Sequence, residues 1–320
     1  MELIGHQEPW RHWHDAMSGE RMHHAWMLAG KRGIGKMHFA VEAARALVSD
    51  GGVSMPEGNH PDILTLERLP KDDKEEKKRD EGKPFETKRN ISVAQIRAMQ
   101  KRLTTRPTLG SKRAIIIDPS DDLEKSASNA LLKSLEEPPI GTFFLLVAHR
   151  PSRLLPTIRS RCRIMRFPDV PDSEMDALLS REAPEVDHNT RQAAIMAAAG
   201  SPGVALEFVE RDLGRLYSVM RQIVAEGDDG FVLRGQLTDA LGARPSRDKL
   251  LASIDLARSV LASGIRTASP VQYPAIVAAH AELVTLSSQA PTYNFDSGLL
   301  IAEIGSLLAS AAGPRDRAHV

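Results

Sequence analysis

A glycine-rich loop near the start of the chain carries the residue types that hold phosphate groups. Residues 30–37 read GKRGIGKM, and the candidate phosphate contacts are Gly30, Gly33, Gly35 and Lys36. Glycines let backbone N–H groups curl around phosphate oxygens at the start of a helix, while the lysine ammonium reaches the β- and γ-oxygens. Met37 stands where this motif needs a Ser or Thr hydroxyl for Mg²⁺. The loop is predicted to descend from a phosphate site. Whether it still binds phosphate is open: in the alternative, Gly33 and Gly35 now provide only a tight turn and Lys36 starts the helix without a ligand.

Alternating strands and helices are expected to position this loop. Continuous apolar runs predict buried strands at 25–28, 61–66, 114–118 and 142–147. Apolar residues at helical spacing predict helices at 38–48, 91–103 and 126–136. Ser92 is the expected N-cap of the second helix, and Pro138 with Pro139 ends the third. Strands that alternate with helices predict an α/β domain built on a parallel sheet.

The second half of the chain is expected to be helical, with no convincing strand after residue 213. Leu216, Val219, Met220 and Ile223 share one helical face there. The predicted plan is an α/β domain at 1–168, a small helical lid at 169–210 and an all-α C-terminal domain at 211–320. Within the first domain, residues 71–83 are almost entirely charged, with both signs mixed. We expect a solvated loop or a partly disordered hairpin there.

Composition excludes several classes of protein. The 320 residues are 42% hydrophobic, which is enough chain for two or three domains with cores of their own. The 42 basic and 42 acidic residues balance, so coating of nucleic acid by bulk charge is not expected, although a local basic face remains open. Cys162 is the single cysteine, which excludes an internal disulfide. Neither a membrane span nor a signal peptide is visible, so we expect a cytoplasmic protein without a membrane partner.

Several short motifs together carry a family resemblance. They are HHA at 23–25, the glycine-rich loop, HPD at 60–62, NALLKSLEEPP at 129–139, SRC at 160–162 and GSPG at 200–203. With these motifs the chain resembles the delta-prime subunits of bacterial DNA polymerase III clamp loaders, a branch of the AAA+ ATPases. The resemblance is close over residues 3–206. It implies an AAA+ P-loop domain, a helical lid and a C-terminal oligomerisation domain of the collar type.

The resemblance implies an accessory role in DNA replication. It implies a comparatively rigid subunit of a five-membered ring, with gamma/tau and delta subunits, which loads the sliding clamp onto primed DNA; a homo-oligomer is not expected. In this family the arginine of the SRC turn, here Arg161 between Ser160 and Cys162, lies beside the ATP of a neighbouring subunit and stabilises charge on its γ-phosphate. Alternatively, Arg161 pairs with a carboxylate on its own surface. Cys162 is expected to be a small buried residue and not a nucleophile.

Four departures from active AAA+ enzymes affect the handling of metal, water and γ-phosphate. Asp118 keeps the metal-orienting carboxylate, but Pro119 replaces the glutamate that activates water. The other departures are Met37, Ala148-His149 in place of a polar sensor, and Gly203 in place of the lid arginine. These contacts supply most of the rate enhancement in phosphoryl transfer, so we expect no cofactor and no ATP hydrolysis by this chain alone. His149 is expected to be a surface histidine, and the alternative to the whole interpretation is an active, gamma/tau-like ATPase subunit.

Two further expectations concern metal and DNA. Many relatives carry four zinc-binding cysteines before the HPD motif, but residues 49–59 have none, so we expect no metal. The helix at 91–103 offers Arg97, Lys101 and Arg102, with Arg106 just beyond. These are candidate contacts to DNA phosphates, which would be independent of sequence and sensitive to salt. The alternative is an ordinary solvated basic surface.

Overall fold

The structure is a computed structural model that describes residues 5–19, 21–49, 60–265, 267–290, 293 and 295–312. The chain divides into two compact units, Met1–Val170 and Pro171–Val320. Residues 50–59, within the stretch for which the absence of zinc ligands is expected, lie outside the described part.

The first unit is built on a five-stranded parallel sheet. Its strands are β1 (Ala25–Ala29), β2 (Ile63–Leu66), β3 (Arg113–Ile117), β4 (Thr142–Ala148) and β5 (Arg163–Arg166), in the spatial order β2-β3-β4-β1-β5. Four of these were predicted from apolar runs, and the parallel α/β fold is confirmed. Strand β5 was missed because it lies at the sheet edge and three of its four residues are exposed, two of them arginines.

Helices cover the sheet on both faces. They are α1 (Gln7–Ser18), α2 (Lys36–Val48), α3 (Asp73–Asp80), α4 (Val93–Leu103), α5 (Lys125–Glu136) and α6 (Pro156–Arg159). Helix α4 begins with a reciprocal cap, in which the Ser92 hydroxyl accepts from the Gln95 N–H and the Gln95 side chain accepts from the Ser92 N–H. The predicted N-cap is therefore confirmed. Helices α4 and α5 bury residues such as Ile96 and Leu131 against strands β3 and β4, which forms the core beneath the site.

The charged stretch at 71–83 contains helix α3 at Asp73–Asp80, so the expectation of a loop or disordered hairpin was wrong for these eight residues. The Asp72 carboxylate caps α3 by accepting the N–H groups of Lys74 and Glu75. Glu75 pairs with Lys78 one turn later at 2.7 Å. At the base, Lys71 pairs with Glu86 at 2.9 Å, and Pro70 and Thr87 form an antiparallel bridge. Local charge pairing and capping thus order a segment that has almost nothing to bury.

In the described part of the second unit, helices joined by loops are present and no strand is found. Its helices are α7 (Asp172–Glu182), α8 (His188–Ala198), α9 (Pro202–Glu210), α10 (Gly214–Glu226), α11 (Val232–Leu241), α12 (Arg247–Gly264), α13 (Tyr273–Gln289) and α14 (Ser297–Ser310). The face of α10 that carries Leu216, Val219, Met220 and Ile223 is buried. Helix α8 contacts α9, α10 and α12 within this unit. The finer division of this half at residue 210 stays a prediction.

Among the described residues, every helix is too short or too polar to span a bilayer.

Candidate functional site

The glycine-rich loop lies between the carboxyl end of β1 and the start of α2. Gly33 and Gly35 have φ angles of 75° and 101°, a left-handed conformation that side chains with a Cβ rarely adopt. At Gly30 a Cβ would lie 3.0 Å from the Cβ of Phe167, so that glycine serves close packing. The strand, loop and helix of the phosphate-site motif are therefore present. Each of the three glycines is also required by the fold of the chain itself.

Lys36 turns back onto its own loop. The Lys36 side chain is almost completely buried, and its Nζ donates hydrogen bonds to the carbonyl oxygens of Gly30 at 2.7 Å and Lys31 at 2.6 Å. Burial lowers the pKa of Lys36 to about 8, although the nearby Asp118 and Asp121 carboxylates act in the opposite direction. The ammonium expected to contact phosphate oxygens is thus held by backbone carbonyls.

His6, which the sequence analysis missed, braces the same loop. It is the N-cap residue of α1, and its Nε2 donates to the carbonyl oxygen of Ile34 at 2.5 Å. The ring also meets Phe167 edge-on, with 4.9 Å between ring centroids. A Cβ added at Gly35 would come within 3.2 Å of His6 Nε2. A single histidine before a helix carries no motif, so only the tertiary structure could identify this contact.

Acidic side chains line the neighbouring strand ends. Burial raises the pKa of Asp118 to about 6, with Lys36 acting in the opposite direction, and Asp118 Oδ1 has no hydrogen-bond partner within the described part of the chain. Asp121 accepts the backbone N–H groups of His149 at 2.9 Å and Arg150 at 3.1 Å. Asp121 therefore ties the segment after β3 to the end of β4.

His149, at the end of β4, is half-buried, so it is more enclosed than the surface histidine that the sequence predicted. Burial lowers the pKa of His149 to about 4, and the nearby Lys36 ammonium adds to this effect. The ring is therefore neutral at pH 7. Its backbone N–H is already taken by Asp121.

The donor set at this loop does not fit a hydrolysable Mg²⁺–ATP. Met37 offers a thioether where the metal needs a hydroxyl, and Pro119 offers no carboxylate to activate water. Lys36 is bonded to the loop, and Asp118 is partly buried with a raised pKa. Among the described residues, no group of three or more His, Cys, Asp or Glu side chains is placed to hold a metal ion.

Arg161 lies at the surface, just after α6. Its Nη2 contacts Glu136 Oε1 at 2.6 Å, and its Nη1 donates to the carbonyl oxygen of Thr157 at 2.9 Å. The Ser160 hydroxyl lies 3.4 Å from the same Nη1. The Arg161 side chain is 35% exposed. The structure thus shows the alternative pairing, in which Arg161 contacts a carboxylate on its own surface.

The residues that flank Arg161 have structural surroundings. Burial raises the pKa of the Cys162 thiol to about 12, so the thiol is protonated at neutral pH. The guanidinium of Arg163, on β5, lies over the ring of Trp26 at 5.1 Å from its centroid. Arg163 thus contacts the aromatic core side chain Trp26, whereas Arg161 contacts Glu136 and the carbonyl oxygen of Thr157.

The basic residues of α4 separate into two groups. Arg97 and Lys101 are exposed and lie one turn apart, on the same face of the helix. Arg102 is also exposed, but its Nη2 lies 3.4 Å from the carbonyl oxygen of Pro61, within reach of a long hydrogen bond. Arg106 is exposed beyond the helix, where its carbonyl oxygen accepts from Arg113 at 2.9 Å. Arg97 and Lys101 thus form the local basic face that neutral composition left open.

A buried network anchors the end of α4, and the sequence analysis missed its function. Asp62, from the HPD motif, accepts the backbone N–H groups of Thr108 and Leu109 and contacts Arg113 Nη2 at 3.3 Å. Arg113 also donates to three carbonyl oxygens at the C-terminal end of α4 and just beyond it, those of Arg102, Thr105 and Arg106. The HPD motif could have been suspected of a structural role because Asp62 directly precedes a strand.

The sequence is similar to subunits of bacterial DNA polymerase III. The family model described as DNA polymerase III, delta subunit, matches residues 5–171. A DNA polymerase III subunit delta-prime of Pseudomonas aeruginosa is 31% identical over 209 residues, which are 61% of this chain and 58% of that protein. The corresponding subunit of Escherichia coli (strain K12) is 30% identical over 217 residues, 64% of this chain and 60% of that protein.

A gamma/tau subunit of Mycobacterium bovis is 29% identical over 256 residues, which are 75% of this chain but 40% of that protein. The chain thus spans about three fifths of the length of the two delta-prime relatives and less of the gamma/tau relative. The two delta-prime relatives are similar to this chain over more than half of its length. Because the family model also covers more than half of the 320 residues, the chain belongs to the family described as DNA polymerase III, delta subunit.

Proposed function

We propose that this chain is the delta-prime subunit of a clamp loader and supplies Arg161 in trans to the ATP site of a neighbouring gamma/tau subunit. Its other partners are a delta subunit and, through the complex, the sliding clamp and primed DNA. This function is supported by the similarity to delta-prime subunits and by the surface position of Arg161. We also propose that the chain does not hydrolyse ATP by itself.

The observation that carries the proposal is the presentation of Arg161. Its guanidinium lies at the surface, one-third exposed, in a turn bounded by α6 and β5. An arginine supplied across a subunit boundary stabilises charge on the γ-phosphate and accelerates hydrolysis by roughly 10³- to 10⁵-fold in the best-known cases. An exposed guanidinium with defined contacts has the chemistry that such a role requires.

The state of the chain's own loop supports the second part of the proposal. Lys36 is bonded to the carbonyl oxygens of Gly30 and Lys31, so reaching a phosphate would break two hydrogen bonds. Met37 and Pro119 supply neither the metal ligand nor the base. A gamma/tau-like ATPase would need both.

A second role, contact with DNA phosphates, is favoured by the exposed pair Arg97 and Lys101. Both side chains are exposed, and within the described part of the chain neither pairs with an acidic side chain, so both charges are available to an anion. Each phosphate contact releases counterions, which makes binding weaken as salt rises. In this role Arg102 and Arg106 lie nearby and extend the basic surface beyond the pair.

The test is ATP hydrolysis by the reconstituted complex. The purified chain should release no phosphate, whereas adding it to gamma/tau and delta should raise the hydrolysis that clamp and primed DNA stimulate. Arg161→Ala should reduce this turnover towards the level without the chain, while assembly measured by gel filtration is unchanged. Arg159→Ala, two residues away, is the matched control and should behave as wild type. Unchanged turnover with Arg161→Ala would refute the trans role, and enzyme-like phosphate release by the isolated chain would refute the inactive site.

A further inference from the structure

Glu136 is the acidic partner of Arg161, and it stands at an unusual place. It is the last residue of α5, which Pro138 and Pro139 prevent from continuing. A carboxylate in the last turn of a helix is opposed by the negative end of the helix dipole. Helix stability therefore gives no reason for an acid at this position.

The contact also contributes little to the stability of the fold. The Arg161 side chain is 35% exposed and that of Glu136 is 48% exposed, and exposed ion pairs stabilise proteins only slightly. At 2.6 Å the contact is nevertheless a short, charge-assisted hydrogen bond. Its geometry is well defined, while its stabilising effect is small.

The contacts of the guanidinium leave part of it available. An arginine side chain has five N–H donors in one plane. Nη2 points to Glu136, and Nη1 points to the carbonyl oxygen of Thr157 and, at 3.4 Å, to the Ser160 hydroxyl. Within the described part of the chain these contacts use three donors at most, which leaves two for an external anion. Glu136 and Thr157 together define the plane in which those two donors lie.

We infer that Glu136 is a positioning residue for Arg161. It holds the guanidinium in the orientation that meets the neighbouring triphosphate, so that little side-chain freedom remains to be lost when the subunits meet. This inference rests on the proposed function of Arg161. Glu136, the first of the two glutamates in the segment LEEPP at 135–139, thus takes part in the same reaction, although Glu136 itself touches no substrate.

The experiment measures stimulated ATP hydrolysis in the reconstituted complex. Glu136→Ala should lower kcat about 3- to 10-fold, the effect of ordering one long side chain, without changing the KM for ATP. Glu136→Gln keeps an oxygen acceptor for Nη2 and should restore at least half of the lost turnover. Glu137→Ala, the adjacent exposed acid, is the matched control and should match wild type.

A double-mutant cycle separates this inference from the proposal beneath it. In an Arg161→Ala background, Glu136→Ala should have no further effect, because its action passes through Arg161. If Arg161→Ala itself leaves turnover unchanged, the proposed function fails. If Arg161→Ala reduces turnover but Glu136→Ala does not, only the positioning role fails.

Two further results would also overturn the positioning role. Higher turnover with Glu136→Ala would show that the pair restrains Arg161 instead of orienting it. An equal loss in both backgrounds would indicate a structural effect. The free energy of unfolding in urea should be the same for the isolated variants and for wild type. If Glu136→Ala is less stable, the double-mutant cycle is repeated with Glu136→Gln, whose loss of turnover should likewise disappear in the Arg161→Ala background.

Discussion

Replacing Asp62 should lower the free energy of unfolding of the first unit substantially. The Asp62 carboxylate is fully buried, and Arg113 beside it is almost as buried. Burial by itself raises the pKa of Asp62, but the N–H groups of Leu109 and Thr108 and the Arg113 guanidinium together hold that pKa below its usual value. The ionised form is therefore the one that the fold stabilises.

The expected loss follows from these partners. Asp62→Ala leaves the Arg113 guanidinium buried without its counter-charge and removes the acceptor of two backbone N–H groups. Breaking a buried pair from one side costs about 3–5 kcal/mol. Asp62→Asn keeps one oxygen acceptor and should cost about 1.5–3 kcal/mol.

The assay is urea unfolding followed by tryptophan fluorescence. Trp10, Trp13 and Trp26 are the only tryptophans of the chain and all lie in the first unit, so their signal reports that unit alone. The matched control is Glu67→Ala, an exposed acid nearby, which should change the free energy of unfolding by less than about 0.5 kcal/mol.

The pH dependence supplies a second check. Because the pKa of Asp62 is lowered on folding, its stabilisation is fully present above the unfolded value of about 4 and is lost as pH falls through the folded value. The difference in the free energy of unfolding between wild type and Asp62→Asn should therefore become smaller only below about pH 4. A loss of less than 1 kcal/mol for Asp62→Ala at pH 7 would refute the reasoning.

Two more predictions concern partly buried titratable groups. Because burial raises the pKa of Asp118 from 3.8 to about 6, its ionisation opposes folding at pH 7, and Asp118→Asn should increase the free energy of unfolding by about 1–3 kcal/mol. This gain should vanish below about pH 4, and no gain at pH 7 would contradict it. The Cys162 thiol, with a pKa raised to about 12, should react with a disulfide reagent at pH 8 at least about 100-fold more slowly in the native chain than in urea. Equal rates would contradict this prediction.

Much of the sheet and its loop could be predicted because the signals are local. Apolar runs identified β1, β2, β3 and β4, and the glycines of residues 30–35 identified the turn that joins β1 to α2. Edge strand β5 and helix α3 were missed for the same physical reason. Neither is held by an apolar face, so hydrophobic periodicity carries no information about them.

For the candidate site, the residue types could be read from the sequence, but the contacts between them could not. The chemical types of the residues, namely Met37, Pro119 and Arg161, are properties of the sequence, and they determined which functions the chain is equipped for. Their partners are not: Arg161 meets Glu136 across 25 positions, and Arg113 meets Asp62 across 51.

By itself, then, the sequence determined the family, the parallel α/β core and the chemistry that the loop lacks, since these depend on residue type and short-range spacing. Only the tertiary structure decided that Lys36 is held by its own loop, that His6 braces it and that Glu136 pairs with Arg161. The physical reason is that a polar group chooses its partner by distance and burial, and both arise only when elements remote in the chain pack together.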